Sequence, residues 1–376
     1  MMQRNEITRV LFAGGGTGGH LFPAIAMAEE LKQLNAQTEI FFIGTKGKIE
    51  SKIVPAKGYT FHTIWISGFQ RFISLQNILF PLKVIVSLIQ SFVLLKKIQP
   101  TVVVGTGGYV SGPVVFVASA MNIPTMIQEQ NSYPGITTRL LSQRVNEVHI
   151  SFEQTRKYFK KNVKVFVTGN PTRPELTTVT KSAAMKYFGF DEALEKKNVF
   201  LFGGSLGASS MNEAMKSIID ELVKKKMRVI WQTGSVQFEQ LKHHCKQFSN
   251  SEVWIAPFID NIENAYAVAD VVIARSGATS LAEITRLGKA TILVPYPFAA
   301  ANHQEENAKL FLEENAAELI SDAHVKELLL GKILSILQND EWKAELETNC
   351  RRLGKPNAGK ELAQRVLQLA KNKTRQ

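Results

Sequence analysis

A histidine closing a glycine run, a glutamate one turn into a small-residue helix and an arginine caught between two prolines are the groups in this 376-residue chain with chemistry to offer. His20 ends Gly14-Gly15-Gly16-Thr17-Gly18-Gly19-His20, directly after the apolar run Val10-Leu11-Phe12-Ala13. Near a helix N-terminus the dipole opposes protonation, so the imidazole stays neutral and suits a general base. Glu283 follows Ala274-Arg275-Ser276-Gly277-Ala278-Thr279-Ser280-Leu281-Ala282. The amides of that turn can take a phosphate, and Glu283 can accept hydrogen bonds from ribose hydroxyls. A further glycine turn, Gly203-Gly204-Ser205-Leu206-Gly207-Ala208, follows Val199-Phe200-Leu201-Phe202, and Pro257-Phe258-Ile259-Asp260 suits the lining of a base pocket.

Such groups need strands to end them and helices to open beneath them. The first half reads as strand 10–13, helix 23–34, strand 38–44, strand 61–66, helix 81–97, strand 101–104, helix 113–121 and strand 125–128. Gly169-Asn170-Pro171-Thr172-Arg173-Pro174 reads as a hinge, because two prolines in a short polar stretch stop both helix and sheet. The second half then repeats the scheme: strand 199–202, helix 209–225, strands 227–232 and 253–256, helix 261–267, strand 271–274, helix 278–287, strand 290–294 and helix 303–313. Helical material resumes from Val325. Regular alternation of this kind builds parallel sheets with helices on both faces, here two doubly wound α/β domains whose phosphate turns would frame one cleft.

Several classes are excluded. Gly14, Gly16 and Gly19 satisfy G-x-G-x-x-G, but the second strand ends Ile43-Gly44-Thr45-Lys46, a basic residue where a dinucleotide site wants an acid. His20 stands where a Walker loop needs lysine. With only Cys245 and Cys350, the chain has no disulfide framework or cysteine metal cluster, which suits a reducing compartment. There is no Asp-x-Asp pair either, so no metal and no cofactor is expected. A leaving diphosphate would be met by helix ends, amides and Arg173. Gly105-Thr106-Gly107-Gly108-Tyr109 and Gln128-Glu129-Gln130-Asn131 end two further strands at the same carboxyl edge.

Lys and Arg number 45 against 33 Asp and Glu, a formal charge of +12. Between Glu50 and Glu129 there is no acidic residue, while Lys52, Lys57, Arg71, Lys83, Lys96 and Lys97 fall inside that span with Phe69, Phe72, Ile73, Leu75, Ile78, Leu79, Phe80 and Leu82. Pro81 and Lys83 interrupt any membrane span, and Val84–Leu95 is too short for one. Lys83, Ser87, Gln90, Ser91 and Lys97 form a narrow polar stripe, so the helix is expected in the core, and the segment Gly68–Leu82 on an anionic lipid surface. Nucleic acid is not an expected partner, for lack of a recognition module or aromatic ladder. Met1–Val10 carries no secretory pattern.

GGGTGGH (14–20), VVVGTGGYVSGP (102–113), QEQNSYPG (128–135), GNPTR (169–173), GGSLGAS (203–209), ARSGATSLAE (274–283), VPYP (294–297) and NHQEENA (302–308), in this order and nearly end to end, resemble the MurG family of bacterial glycosyltransferases. The resemblance implies GT-B architecture: an N-terminal acceptor and membrane-facing domain at 1–168, a UDP-sugar domain at 169–345, and a C-terminal helix, 346–376, returning to the first domain. It implies transfer of N-acetylglucosamine from UDP-N-acetylglucosamine to lipid I, making lipid II at the cytoplasmic face of the plasma membrane. By the same resemblance Thr17, Gly18 and Gly19 contact the donor across the cleft, Asn131 lies near its sugar, and Arg173 and Ser205 near the diphosphate. Ile259 meets the uracil, Ala278, Thr279, Ser280, Leu281 and Ala282 form the helix-end turn, Glu283 holds ribose and Gln304 the sugar hydroxyls. Gln128 stands where the family often has His, and Leu206 where it often has Gln. A 2-epimerase of UDP-N-acetylglucosamine with the same fold, or a non-catalytic nucleotide-sugar binder at a membrane surface, are the alternative readings.

Overall fold

The structure, a computed structural model, describes residues 7–68, 79–204, 207–299 and 302–373. The chain forms two compact units, Met1–Thr172 with Lys355–Gln376, and Arg173–Gly354. Where the sequence reading places the divisions at 168/169 and 345/346, they fall at 172/173 and 354/355. Helix Asp340–Leu353 accounts for the second difference: it packs on helix Ala278–Leu287, with Cys350 Sγ against the Ile284 carbonyl at 3.7 Å, and stays in the second unit to its end.

In the first unit seven parallel strands run in the order β3-β2-β1-β4-β5-β6-β7, where β1 is Arg9–Gly14, β2 Glu39–Gly44, β3 Thr60–Thr63, β4 Val102–Gly107, β5 Thr125–Glu129, β6 Glu147–Ile150 and β7 Val165–Val167. Their alternation explains the layers. Val10 and Phe12 face helix Gly18–Leu34 and the C-terminal helix Ala358–Lys373, while Leu11 and Ala13 face helices Phe80–Ile98 and Gly108–Ala120. Strands covered on both sides need apolar residues at every position, which is why β1 and β4 read as unbroken runs. The C-terminal helix is held by Arg365, whose guanidinium pairs with Glu147 and stacks on Phe166 at 4.5 Å.

The second unit carries six parallel strands in the order β10-β9-β8-β11-β12-β13: β8 Asn198–Phe202, β9 Arg228–Gln232, β10 Val253–Ala256, β11 Val271–Ala274, β12 Thr291–Leu293 and β13 Glu318–Leu319. Val199 and Leu201 pack under helices Ser209–Lys224 and Val325–Leu337. On the other face Phe200 and Phe202 meet the Tyr266 ring edge-on at 5.5 and 5.9 Å.

One expectation is overturned. Helix Phe80–Ile98 does pack within the first unit, but with most of its polar stripe inward: Lys83, Ser87 and Ser91 are buried, Gln90 is half-buried and Lys97 exposed, while Leu82, Ile85, Ile89, Phe92 and Val93 are 47–59% exposed. The inversion is tolerable because each buried polar group finds a local partner. Ser87 Oγ donates to the Val84 carbonyl, Ser91 Oγ to the Ser87 carbonyl, and Lys83 Nζ to Ser67 Oγ at 2.8 Å. Phe69, Arg71, Phe72, Ile73, Leu75 and Ile78 of the expected lipid-facing segment lie outside the described residues.

Candidate active site

The first glycine turn is locked from behind. Helix Gly18–Leu34 starts five residues before the position expected from Pro23, so Thr17 is its N-cap and His20 sits in its first turn. Gly14 pairs with Gly107, and the glycine turn ending β4 therefore lies alongside the one ending β1. Gly107, at φ +100°, leaves room for the imidazole: a Cβ there would stand 2.7 Å from His20 Cδ2. His20 Nδ1 lies 3.3 Å from the Gly15 carbonyl oxygen and 3.3 Å from Thr17 Oγ1. A carbonyl only accepts, so the Gly15 contact calls for the proton on Nδ1, the tautomer in which a neutral imidazole has its lone pair on Nε2.

Contrary to the expectation of a turn lined by anion-seeking amides, the Gly16 N–H is already spent, donating to Glu50 Oε2 at 2.9 Å. Glu50 is 1% exposed and also accepts from the Thr45 amide and hydroxyl, at 3.0 and 2.8 Å. What remains for a ligand is the exposed rim Thr17 and Gly19 and the half-buried Gly18. At the end of β5, Glu129 organises its own loop, accepting from the Asn131 amide and side chain, the Gly135 amide and Thr138 Oγ1. Asn131 is thereby pinned and half-buried. Gln128 is fully buried, donating to Asn170 Oδ1 at 3.3 Å, so it braces the end of the first unit rather than facing solvent.

In the second unit Glu283 is 4% exposed, accepting from Arg173 Nε and from the Tyr266 hydroxyl, each at 3.2 Å. Burial pushes its carboxyl above the ordinary range, against the opposing pull of Arg173 and Tyr266. The Tyr266 hydroxyl, buried beside that carboxylate, is driven well above its ordinary value. Helix Ala278–Leu287 opens on Gly277 with no side-chain cap, so its first amides are not satisfied by a capping side chain. The Thr279 hydroxyl is shielded from solvent without a hydrogen-bond partner among the described residues. Ala278 and Leu281 are buried and Leu281 spends its amide on the Gly277 carbonyl, whereas Thr279, Ser280 and Ala282 are half-buried. Gln304 is set by two contacts: its Oε1 accepts from the Tyr296 amide, and its carbonyl accepts from Ser276 Oγ. The Ile259 amide donates to Gln232 Oε1 at 3.0 Å, so that N–H cannot also read a base edge.

Residues 10–150 match the Glycosyltransferase family 28 N-terminal domain, and residues 198–366 match the Glycosyltransferase family 28 C-terminal domain. The chain belongs to glycosyltransferase family 28. It is 43% identical to a UDP-N-acetylglucosamine--N-acetylmuramyl-(pentapeptide) pyrophosphoryl-undecaprenol N-acetylglucosamine transferase of Prosthecochloris aestuarii, over 96% of this chain and 99% of that one. The crystal structure of Acinetobacter baumannii MurG superposes with a TM-score of 0.76 at 26% identity, covering 96% and 99% of the two chains. A UDP-GlcNAc 2-epimerase from Neisseria meningitidis shares the fold alone, with a TM-score of 0.65 at 13% identity over 96% and 99%.

In this family 28 glycosyltransferase three residues outside the sequence motifs hold the candidate site residues by hydrogen bonds: Glu50, Tyr266 and Gln232. Glu50 appeared only as the edge of the acid-free span, and its place six residues beyond β2 was the available signal. Tyr266 sat inside an apolar helix pattern, and Gln232, which joins the Gly204 carbonyl to the Ile259 amide, closed a strand without any motif. Ser205 and Leu206 lie outside the described residues of the family 28 enzyme.

Proposed function

We propose that the chain transfers N-acetylglucosamine from UDP-N-acetylglucosamine to the C4 hydroxyl of the muramoyl unit of lipid I, forming lipid II with inversion at the anomeric carbon. Carrying this reading is the end-to-end likeness to transferases that bear that name. The second unit takes the donor: Glu283 accepts from the ribose hydroxyls, the Gly277–Ala282 turn and Arg173 meet the diphosphate, Ile259 borders the uracil and Gln304 the sugar hydroxyls. In the first unit His20 is the base, with Thr17, Gly18, Gly19 and Asn131 toward the donor sugar. The acceptor oxygen attacks the anomeric carbon, its proton passes to His20 Nε2, and the bond to UDP breaks with the electron pair leaving on the diphosphate.

The lipid side of the reading is supported by the apolar row Leu82, Ile85, Ile89, Phe92 and Val93 beside exposed Lys96 and Lys97. Apolar side chains with flanking cations suit an interface with anionic lipid. Beside them runs an apolar groove of about 510 Å³ between Phe80, Val84, Leu88, Tyr109 and Phe116, which suits an isoprenoid chain. Among the described residues no helix is long and apolar enough to cross a membrane. The surface is assigned to the cytoplasmic face of the plasma membrane.

Incubation with UDP-N-acetylglucosamine and a soluble lipid I analogue, with and without EDTA, tests the reading. Disaccharide and UDP are the expected products in both. An N-acetylmannosamine product would make the chain a 2-epimerase, and binding without turnover would make it a carrier.

A further inference from the structure

The contacts of Glu50 and of His20 meet on a single peptide group. The carbonyl of Gly15 accepts from His20 Nδ1, and the N–H of Gly16, the other half of the same amide, donates to Glu50 Oε2. A trans peptide directs its C=O and N–H to opposite sides, so the carboxylate and the imidazole flank one planar, polarisable unit. We propose that Glu50 is a positioning residue for the base, acting on His20 through the Gly15–Gly16 peptide. The inference rests on the reading of His20 as the proton acceptor.

The physical argument has two parts. Glu50 is 1% exposed, and its other oxygen is fixed by the Thr45 amide and hydroxyl, so the carboxylate is a rigid anchor rather than a solvated surface acid. Gly15 adds a steric lock: its φ of +152° and the carboxyl group, which a Cβ would meet at 2.5 Å, keep any side chain out of this turn. The orientation of the Gly15 carbonyl is thus set by Glu50, and with it the tautomer that leaves the His20 lone pair on Nε2. The second part is electronic. A carboxylate accepting from one end of an amide withdraws its proton density and makes the carbonyl at the other end a stronger acceptor, as in any chain of hydrogen bonds at low local dielectric. When Nε2 takes the proton of the attacking hydroxyl, the positive charge gained by the ring is met at Nδ1 by that strengthened carbonyl. In this step no proton is passed to Glu50. The arrangement performs the task of an acid–histidine pair with one peptide interposed.

A double-mutant cycle in the full-length enzyme, with UDP-N-acetylglucosamine and a soluble lipid I analogue, tests this. Glu50→Gln keeps the shape and removes the charge; it should lower kcat roughly ten-fold while leaving both KM values within about two-fold. In a His20→Ala background the same substitution should change kcat by less than two-fold, because the group it serves is gone. Nitrogen-15 spectra of the imidazole should show the Nδ1–H tautomer in the wild type and a reduced share of it in Glu50→Gln. An equal loss from Glu50→Gln in both backgrounds, or a wild-type His20 protonated on Nε2, overturns the inference while leaving the base in place. Full turnover by His20→Ala would instead sink the base reading, and the inference with it. Thermal unfolding of each variant separates these results from a loss of fold.

Discussion

Arg173 and Glu283, 110 residues apart in sequence, are joined by a 3.2 Å contact from Nε to the carboxylate, and the Tyr266 hydroxyl closes on the other oxygen. The carboxylate proposed for ribose is therefore engaged before any ligand arrives, and a donor must share or displace Arg173.

Glu283→Gln should weaken UDP binding by roughly ten-fold in calorimetry, the worth of one charge-assisted hydrogen bond. Stability should move the other way. A buried carboxyl with a raised pKa contributes most below the ordinary value of 4.5, and that contribution is lost as pH rises through the elevated value. Glu283→Gln should thus flatten the pH dependence of the second unit's unfolding and leave its Tm at pH 7 no lower than that of the wild type. Undiminished UDP affinity would remove Glu283 from the ribose.

Gly107→Ala should disturb His20, the proposed base, where Gly47→Ala does not. Both glycines have positive φ, +100° and +78°, so each substitution carries a backbone cost of about 1 kcal/mol. Only at Gly107 does the new methyl group strike the His20 ring, since nothing lies within 4 Å of a Cβ at Gly47. Turnover at saturating substrates should fall more than ten-fold for the first and stay near wild type for the second. Equal activities would mean that the imidazole position is immaterial.

Ile85→Glu combined with Ile89→Glu should release the protein from vesicles. Both side chains are more than half exposed, so unfolding curves should barely change. Each apolar group removed from a lipid interface forfeits on the order of 1.5 kcal/mol, so the pair should lower partitioning into anionic liposomes at least ten-fold. Activity on a water-soluble acceptor should persist. Unchanged sedimentation with liposomes would move the lipid contact elsewhere.

Arg365→Ala should loosen the C-terminal helix and alter its response to acid. Burial raises the Glu147 carboxyl, but hydrogen bonds from His149 and Arg365 outweigh it and hold the group below its ordinary value. A lowered carboxyl pKa contributes stability above the unfolded value of about 4.5, lost as pH falls through the folded one. Protection factors in residues 358–371, corrected for the intrinsic rate at each pH, should therefore fall in the wild type as the pH drops below about 4.5. In Arg365→Ala they should already be low at pH 7. Full protection in the variant would show that the apolar face of the helix suffices.

How legible the molecule was depends on the kind of signal. Apolar runs ending in glycine marked β1, β4, β8 and β11 to within a few residues, because strands buried on both faces admit little else. The same logic failed for β6, β7 and β13, two to four residues long, whose burial comes from neighbours rather than from their own pattern. Helix Phe80–Ile98 shows the limit of periodicity, which finds a polar stripe but not its direction; serines that satisfy their own backbone can face inward as readily as outward.

The order of motifs alone settled the family and the paired parallel sheets, since these follow from local sequence, and it put His20 and Glu283 on glycine-rich strand-to-helix turns. Tertiary structure decided which side chains hold those turns in place. Glu50 reaches the Gly16 amide from 34 residues away and Tyr266 reaches Glu283 from 17. Such partners are chosen by strand order and burial, and a buried polar group takes whichever complementary atom the fold delivers, a choice with no trace in spacing along the chain.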